Sequence, residues 1–199
     1  MDAMGVVDPT SLVGFEYGDI IERPFPTVTA AFYHYARAFP GAIAVRDLSH
    51  DYREVTYAEL AQHAQSLASQ LQAIGVKPHQ KVPLVVKRGL EMVVGIWAIL
   101  SCGAQYVPLD GGVVPNSTIQ HVAEQADGVV LCLRSTHNRI KELCPNVISL
   151  VIEDSLIRDH ELEEDATQHY VDLATPDGGC YVIYTSGQCS SSTSQPRTL

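Results

Sequence analysis

Apolar residues recur at one period over the first third of this chain and at another beyond it. Within 27–39, Val28, Phe32, Tyr35 and Phe39 recur at steps of four, three and four, the spacing of one helical face. Thr27 is placed to cap that helix, and Pro40-Gly41 stops it. Residues 42–46 and 54–57 are short extended runs about a polar turn at 47–53, which predicts a hairpin. Thr56-Tyr57-Ala58-Glu59 reads as a capping box, in which hydroxyl and carboxylate each satisfy a free backbone N–H. A long helix follows, with Leu60, Ala64, Leu67, Leu71 and Ile74 as its buried stripe and Gly75 at its end.

From residue 81 the pattern changes to short apolar runs alternating with helices. Residues 81–87 are nearly continuous apolar, as in a strand covered on both faces, although Pro83 argues against a central position because it has no N–H to give. The helix at 89–102 is apolar almost all round and ends at Gly103, so it is expected to be sandwiched inside the domain. A strand at 105–109 closes on Asp110-Gly111-Gly112, and Pro115-Asn116-Ser117 starts a helix running to about residue 126. Asn116, although it opens an Asn-Ser-Thr sequon, is read as the cap. Further strands are expected at 129–133 and 147–152, with a short helix at 138–143 between them and an acidic, solvated helix or loop at 153–165. Asp177-Gly178-Gly179 opens a last strand that ends in Thr185-Ser186-Gly187. This order implies an α/β fold: an open, mostly parallel sheet with helices on both faces. Residues 1–24 read as an extended lead-in against the domain surface, 25–187 as the domain, and 188–199, rich in Ser and Thr, as a patternless tail with the composition of disorder.

Composition narrows the partners. With 199 residues, 46% apolar and 18% charged, the chain can bury one core, as a single domain or most of a larger one. A formal charge of −10 repels nucleic acid and anionic membranes, so neither is expected as a partner. The longest apolar run, 92–100, is too short to span a bilayer, and the acidic start carries no signal-peptide pattern, which predicts a soluble, cytoplasmic protein. The 5 cysteines have no zinc spacing and the 8 histidines form no HExxH, so no metal site is expected and no residue is singled out as catalytic.

The strings GxGxxG, GxxxxGK[ST] and GxSxG are all absent. What remains is Thr185-Ser186-Gly187, a small-residue loop at the carboxyl end of a strand, where backbone N–H groups and hydroxyls can face phosphate. Alone, Thr-Ser-Gly is an ordinary turn. Its meaning comes from two upstream stretches, Val55-Thr56-Tyr57-Ala58-Glu59-Leu60 and Ala98-Ile99-Leu100-Ser101-Cys102-Gly103-Ala104-Gln105-Tyr106-Val107-Pro108-Leu109-Asp110, which precede Tyr181-Val182-Ile183-Tyr184-Thr185-Ser186-Gly187 in that order.

With these three stretches the chain resembles the adenylate-forming superfamily, most closely the adenylation domains of nonribosomal peptide synthetases and their fungal synthetase-like relatives. The resemblance covers 27–187 and implies an ATP-dependent ligase that turns a carboxylic or amino acid into an acyl-adenylate and pyrophosphate. It implies ATP and Mg2+ as cofactors and a phosphopantetheine carrier as acyl acceptor. Thr185, Ser186 and Gly187 match the start of the phosphate loop; Thr56, Glu59, Gly103, Pro108 and Asp110 match positions with structural roles. After Gly187 the family continues through a hydroxyl residue, Thr-Gly, Pro and Lys-Gly, where this sequence has Gln188-Cys189-Ser190-Ser191. A skipped alignment would set 192–197 there, without the glycine and with Arg197 in the place of lysine. The resemblance therefore implies an amino-terminal fragment, interrupted in the phosphate loop and inactive alone. The alternative is a non-catalytic module that docks on a synthetase partner or complementary fragment.

Overall fold

The computed structural model describes residues 22–48, 52–158 and 170–184. Thr27 caps α1 (Val28–Ala38), its hydroxyl accepting from the Ala30 N–H at 3.0 Å. A hairpin, β1 (Ile43–Asp47) and β2 (Arg53–Thr56), pairs antiparallel and leads into α2 (Tyr57–Ala73). The capping box forms: the Thr56 hydroxyl accepts from the Glu59 N–H, and Glu59 accepts from the Thr56 N–H at 2.8 Å. Gly75 follows at φ +96°, the left-handed turn that glycine allows at a helix end.

β3 (Lys81–Val86), β4 (Gln105–Asp110), β5 (Val129–Cys132) and β6 (Ile148–Val151) form one parallel sheet in the order β4-β3-β5-β6. α3 (Leu90–Ser101), α4 (Asn116–Glu124) and α5 (Arg134–Leu143) connect them, and α6 (Ile152–Arg158) follows β6. Val82, Leu84, Val86, Val129 and Leu131 face a core shared with α1, α2, α3 and α6; Val85, Val107, Leu109, Val130 and Cys132 face a second core under α4 and α5. Alternate residues thus enter opposite cores, which is why these strands read as continuous apolar runs.

Pro83 occupies the central strand after all. The carbonyls of Gln80 and Val86 accept from Gln105 and Gly111, so even-numbered residues of β3 point their backbone groups toward β4 and odd-numbered ones toward β5. On the β5 side the pairing begins at Leu84↔Leu131, and the preceding odd-numbered N–H, that of Lys81, is taken by the Asp127 carboxylate at 3.0 Å. The missing donor of Pro83 falls in the gap between them.

α3 is enclosed as its composition requires. A Cβ on Gly95 would stand 2.7 Å from Leu84 Cδ1, so the helix rides directly on the sheet, while Trp97 stacks on Phe32 of α1 at 4.1 Å. The structure orients the face of α1. Thr29, Phe32, Tyr33 and Ala36 are buried, whereas Val28, Tyr35 and Phe39 are 50%, 47% and 59% exposed. The three-four spacing does mark one face of that helix, but most of it points outward. Asn116 is the first residue of α4 rather than its cap; Pro115 holds that position, and the Asn116 Oδ1 accepts from Arg139 Nε at 2.7 Å. α5 begins at Arg134, four residues before the expected start.

Candidate functional site

The sheet has two ends of different character, and the last described segment joins them. Residues 170–173 cross the carboxyl ends of α2 and α3: Gln72 Nε2 donates to the Val171 carbonyl at 2.7 Å and the Leu173 N–H to the Ser101 carbonyl at 2.9 Å. Beside them Tyr33 and Ser101 share a buried hydrogen bond of 2.8 Å, and burial raises the pKa of both Tyr33 and the neighbouring Tyr170. The Tyr170 hydroxyl has no hydrogen-bond partner among the described residues.

The chain then turns at 175–178 and reaches the sheet at Tyr181, which bridges Tyr106 of β4 in parallel. The Tyr106 N–H donates to the Cys180 carbonyl at 3.1 Å and the Val182 N–H to the Tyr106 carbonyl at 3.0 Å. Val182 is buried in the second core, and the Tyr184 hydroxyl donates to Gln125 Oε1 at 2.7 Å. The expected last strand is thus a single bridge among the described residues, placed outside β4 and running in the direction of the sheet.

Thr185, Ser186 and Gly187 lie outside the described residues, as does the tail at 188–199. Counting from the Tyr181 bridge, Tyr184 is level with Leu109, one residue before the end of β4. Tyr184, the last described residue of this segment, therefore stands at the carboxyl end of the sheet, where ligands of open α/β folds bind.

That end is built from three strand termini. At β4, Asp110 Oδ1 accepts from the Gly112 N–H at 2.9 Å, and its carbonyl accepts from Val113 and Val114. Arg139 of α5 ties this turn down, donating to the Gly111 carbonyl at 3.0 Å and the Val114 carbonyl at 2.7 Å. At β3, Lys87 and Arg88 are exposed, and the Lys87 side chain lies over Gly112, where a Cβ would stand 3.1 Å from its Cε. At β5, the Arg134 N–H donates to both oxygens of Glu153 at 3.0 Å while its guanidinium pairs with Asp154.

Electrostatics separate the three helix starts at this end. The buried Asp47 carboxylate accepts from the Leu90 N–H at 3.1 Å, and Arg53 bridges it to Glu91. These carboxylates, Glu91 first, hold the Arg53 guanidinium pKa above its ordinary value. The first turn of α3 is thereby neutralised by its own chain, and Glu153 does the same for α5. The first turn of α4 carries no acidic residue and stands beside the Asp110 turn.

Thr56 and Glu59 are confirmed as a cap, distant in role from any ligand, and Gly103 and Asp110 as turn formers at opposite ends of β4. Lys87, Arg88 and Arg139 were not singled out from the sequence. Two cations directly after a buried strand are a legible signal; an arginine reaching two carbonyls from another helix is not. A cleft of about 410 Å³ lies at the other, amino end, between the start of α1, the α3–β4 turn and residues 174–180. Four described cysteines are free, and burial pushes the thiols of Cys102 and Cys132 up to about 12. No group of metal-ligating side chains occurs among the described residues.

The sequence profile of the AMP-binding enzyme family matches residues 32–196. The chain belongs to that family. It is 31% identical to adenylate-forming reductase 06235 of Coprinopsis cinerea, over 87% of this chain and 17% of the relative, and 31% identical to the indigoidine synthase of Streptomyces lavendulae, over 79% and 13%. Among solved structures, the nonribosomal peptide synthetase FmoA3 in its α-methyl-L-serine-AMP-bound form superposes with a TM-score of 0.69 at 28% identity, covering 83% of this chain and 18% of that one. Its AMPPNP-bound form gives 0.70, also at 28% identity, covering 82% and 16%. The chain therefore spans less than a fifth of the length of these relatives. The fold class and the adenylation-domain resemblance read from the motifs are borne out. No helix among the described residues is long and apolar enough to cross a membrane.

Proposed function

We propose that this chain forms the amino-terminal part of an adenylation domain and carries the phosphate-facing edge of its ATP site. The observation that carries the reading is the parallel bridge of Tyr181 to Tyr106, which directs the chain entering Thr185-Ser186-Gly187 along β4 toward the Asp110 turn. In this reading backbone N–H groups and hydroxyls of that loop would face the β and γ phosphates, with the exposed Lys87 and Arg88 adding positive charge nearby; Mg2+, when bound, would supply further charge neutralisation on the pyrophosphate. The AMPPNP-bound and acyl-adenylate-bound states of FmoA3 support ATP and an amino or other carboxylic acid as substrates. A carboxylate oxygen attacks the α phosphorus and the bond to pyrophosphate breaks; a carrier-domain thiol then attacks the acyl carbon, the bond to the adenylate oxygen breaks, and AMP leaves as the thioester forms. These 199 residues alone do not complete that sequence.

Calorimetry of the chain with ATP and Mg2+, beside a chain whose 188–199 are exchanged for a Thr-Thr-Gly-x-Pro-Lys-Gly continuation, tests the site. The exchanged chain is expected to bind ATP more tightly, and neither chain to catalyse pyrophosphate exchange with a pool of amino acids. Exchange by the native chain overturns its inactivity. Absence of ATP binding by both chains overturns the view that this edge holds phosphate by itself.

A further inference from the structure

The outward face of α1 is the part of the fold that the ATP reading does not use. Val28, Tyr35 and Phe39 lie along it at helical spacing, all about half exposed, and the Tyr35 and Phe39 rings stack within 15° of parallel at 6.4 Å. Exposed aromatic residues at this spacing on a helix whose opposite face already fills a core mark a surface that packs against something.

We propose that residues 1–21 of this chain dock along that face. Three observations select them. Coverage of the face has already begun from their side, because Phe25, four residues beyond Ile21, stands 5.0 Å from the His34 ring and 5.8 Å from the Tyr35 ring. Their sequence can finish it: Val6, Val7, Leu12, Val13, Phe15, Tyr17, Ile20 and Ile21 supply apolar side chains, and a segment able to extend ~70 Å has far more reach than the ~16 Å length of α1 requires. Charge fits as well. Asp2, Asp8, Glu16 and Asp19 are the charged side chains of 1–21, all acidic, whereas α1 carries no carboxylate and sets His34 beside Phe25 and Tyr35. In a chain of net charge −10, an acidic segment has few surfaces free of like charge to lie on. A second copy is a poorer occupant, since a helix this short presents far less than the ~800 Å² per partner of a stable interface.

Amide hydrogen exchange on the full 199-residue chain tests the proposal. Residues 1–21 should exchange more slowly than an unstructured peptide. Tyr35→Ser combined with Phe39→Ser should speed their exchange about tenfold or more, the loss of roughly one aromatic anchor, while β3 and β5 stay protected. His34→Glu alone, which sets a carboxylate beside Phe25 and Tyr35 against the acidic segment, should speed it by a few-fold, less at high salt, and serves as the test if the double variant loses protection in β3 and β5. Free-peptide exchange of 1–21 in the native chain overturns the proposal, as does protection indifferent to these substitutions. Protection that grows with protein concentration also overturns it and assigns the face to a second copy.

Discussion

At the amino ends of β4 and the 181–184 segment, neighbouring groups leave no room for a side chain; at the carboxyl end of β4, the Asp110 turn and the Lys87 side chain from β3 face solvent. A Cβ on Gly103 would stand 2.5 Å from the Leu173 backbone carbonyl oxygen, and one on Gly179 would stand 2.8 Å from the side-chain amide of Gln105. By contrast, a Cβ on Gly112 would meet only the flexible Lys87 side chain and Asp110 Oδ1, at 3.1 and 3.3 Å. The difference follows from the direction of a parallel sheet. Each crossover helix starts at the carboxyl end, bringing free N–H groups there, while the amino end is where helices finish and the chain must be packed back into the sheet. One end positions the strands, and the other is left available for chemistry.

Gly103→Val should separate the two ends most sharply. Gly103 sits at φ +66° against the Leu173 carbonyl, so a β-branched residue adds backbone strain to a steric clash; about 3–4 kcal/mol of stability should be lost in urea denaturation, with the 170–173 crossing deprotected first. Full native stability in that variant would remove the basis of the comparison.

The next effect is on pH. Burial raises the thiol pKa of Cys102, under the amino-end crossing, and of Cys132, at the carboxyl end of β5, from 9.0 to about 12. A raised folded-state value means the stabilisation is complete below pH 9, where the unfolded thiol is still protonated, and is lost as pH rises toward 12. Each thiol should contribute a fall of about 1.4 kcal/mol per pH unit in that window, and Cys132→Ala should flatten the slope by that amount. An unchanged slope would show that Cys132 is solvated in the folded chain. Asp127→Ala, which strips the Lys81 N–H of its acceptor beside Pro83, should cost about 1 kcal/mol by denaturant midpoint. The smallest effects belong to the carboxyl end: Gly112→Ala and Lys87→Ala should each change stability by about 0.5 kcal/mol or less, and a larger loss would show that this end, too, is held by packing.

Much of this was readable in advance because it is local or periodic. The capping box at Thr56 and Glu59 needs only a three-residue spacing, and the parallel sheet follows from apolar runs alternating with helices. The three motif stretches identified the family without any contact being known. The spacing in α1 shows that residues share a face but not which way the face points; Phe32, stacked on Trp97, belongs to the inner side, while Tyr35 and Phe39 do not. Pro83 in the central strand was misjudged for a related reason, since the cost of a missing donor depends on which neighbour the residue points to and how far the pairing runs. Arg139 could not have been found, because its partners at Gly111 and Val114 lie 28 and 25 residues away.

The sequence by itself determined the elements, their order, the family and the identity of the candidate loop, because each is encoded in spacing over a few residues. Only the tertiary structure decided that the segment leading to that loop enters outside β4, that Asp47 and Glu153 already occupy two of the helix starts at the carboxyl end, and that α1 turns aromatic residues outward. These outcomes depend on how distant elements are oriented in three dimensions. Residue spacing constrains that orientation only through the sum of all the contacts it must satisfy.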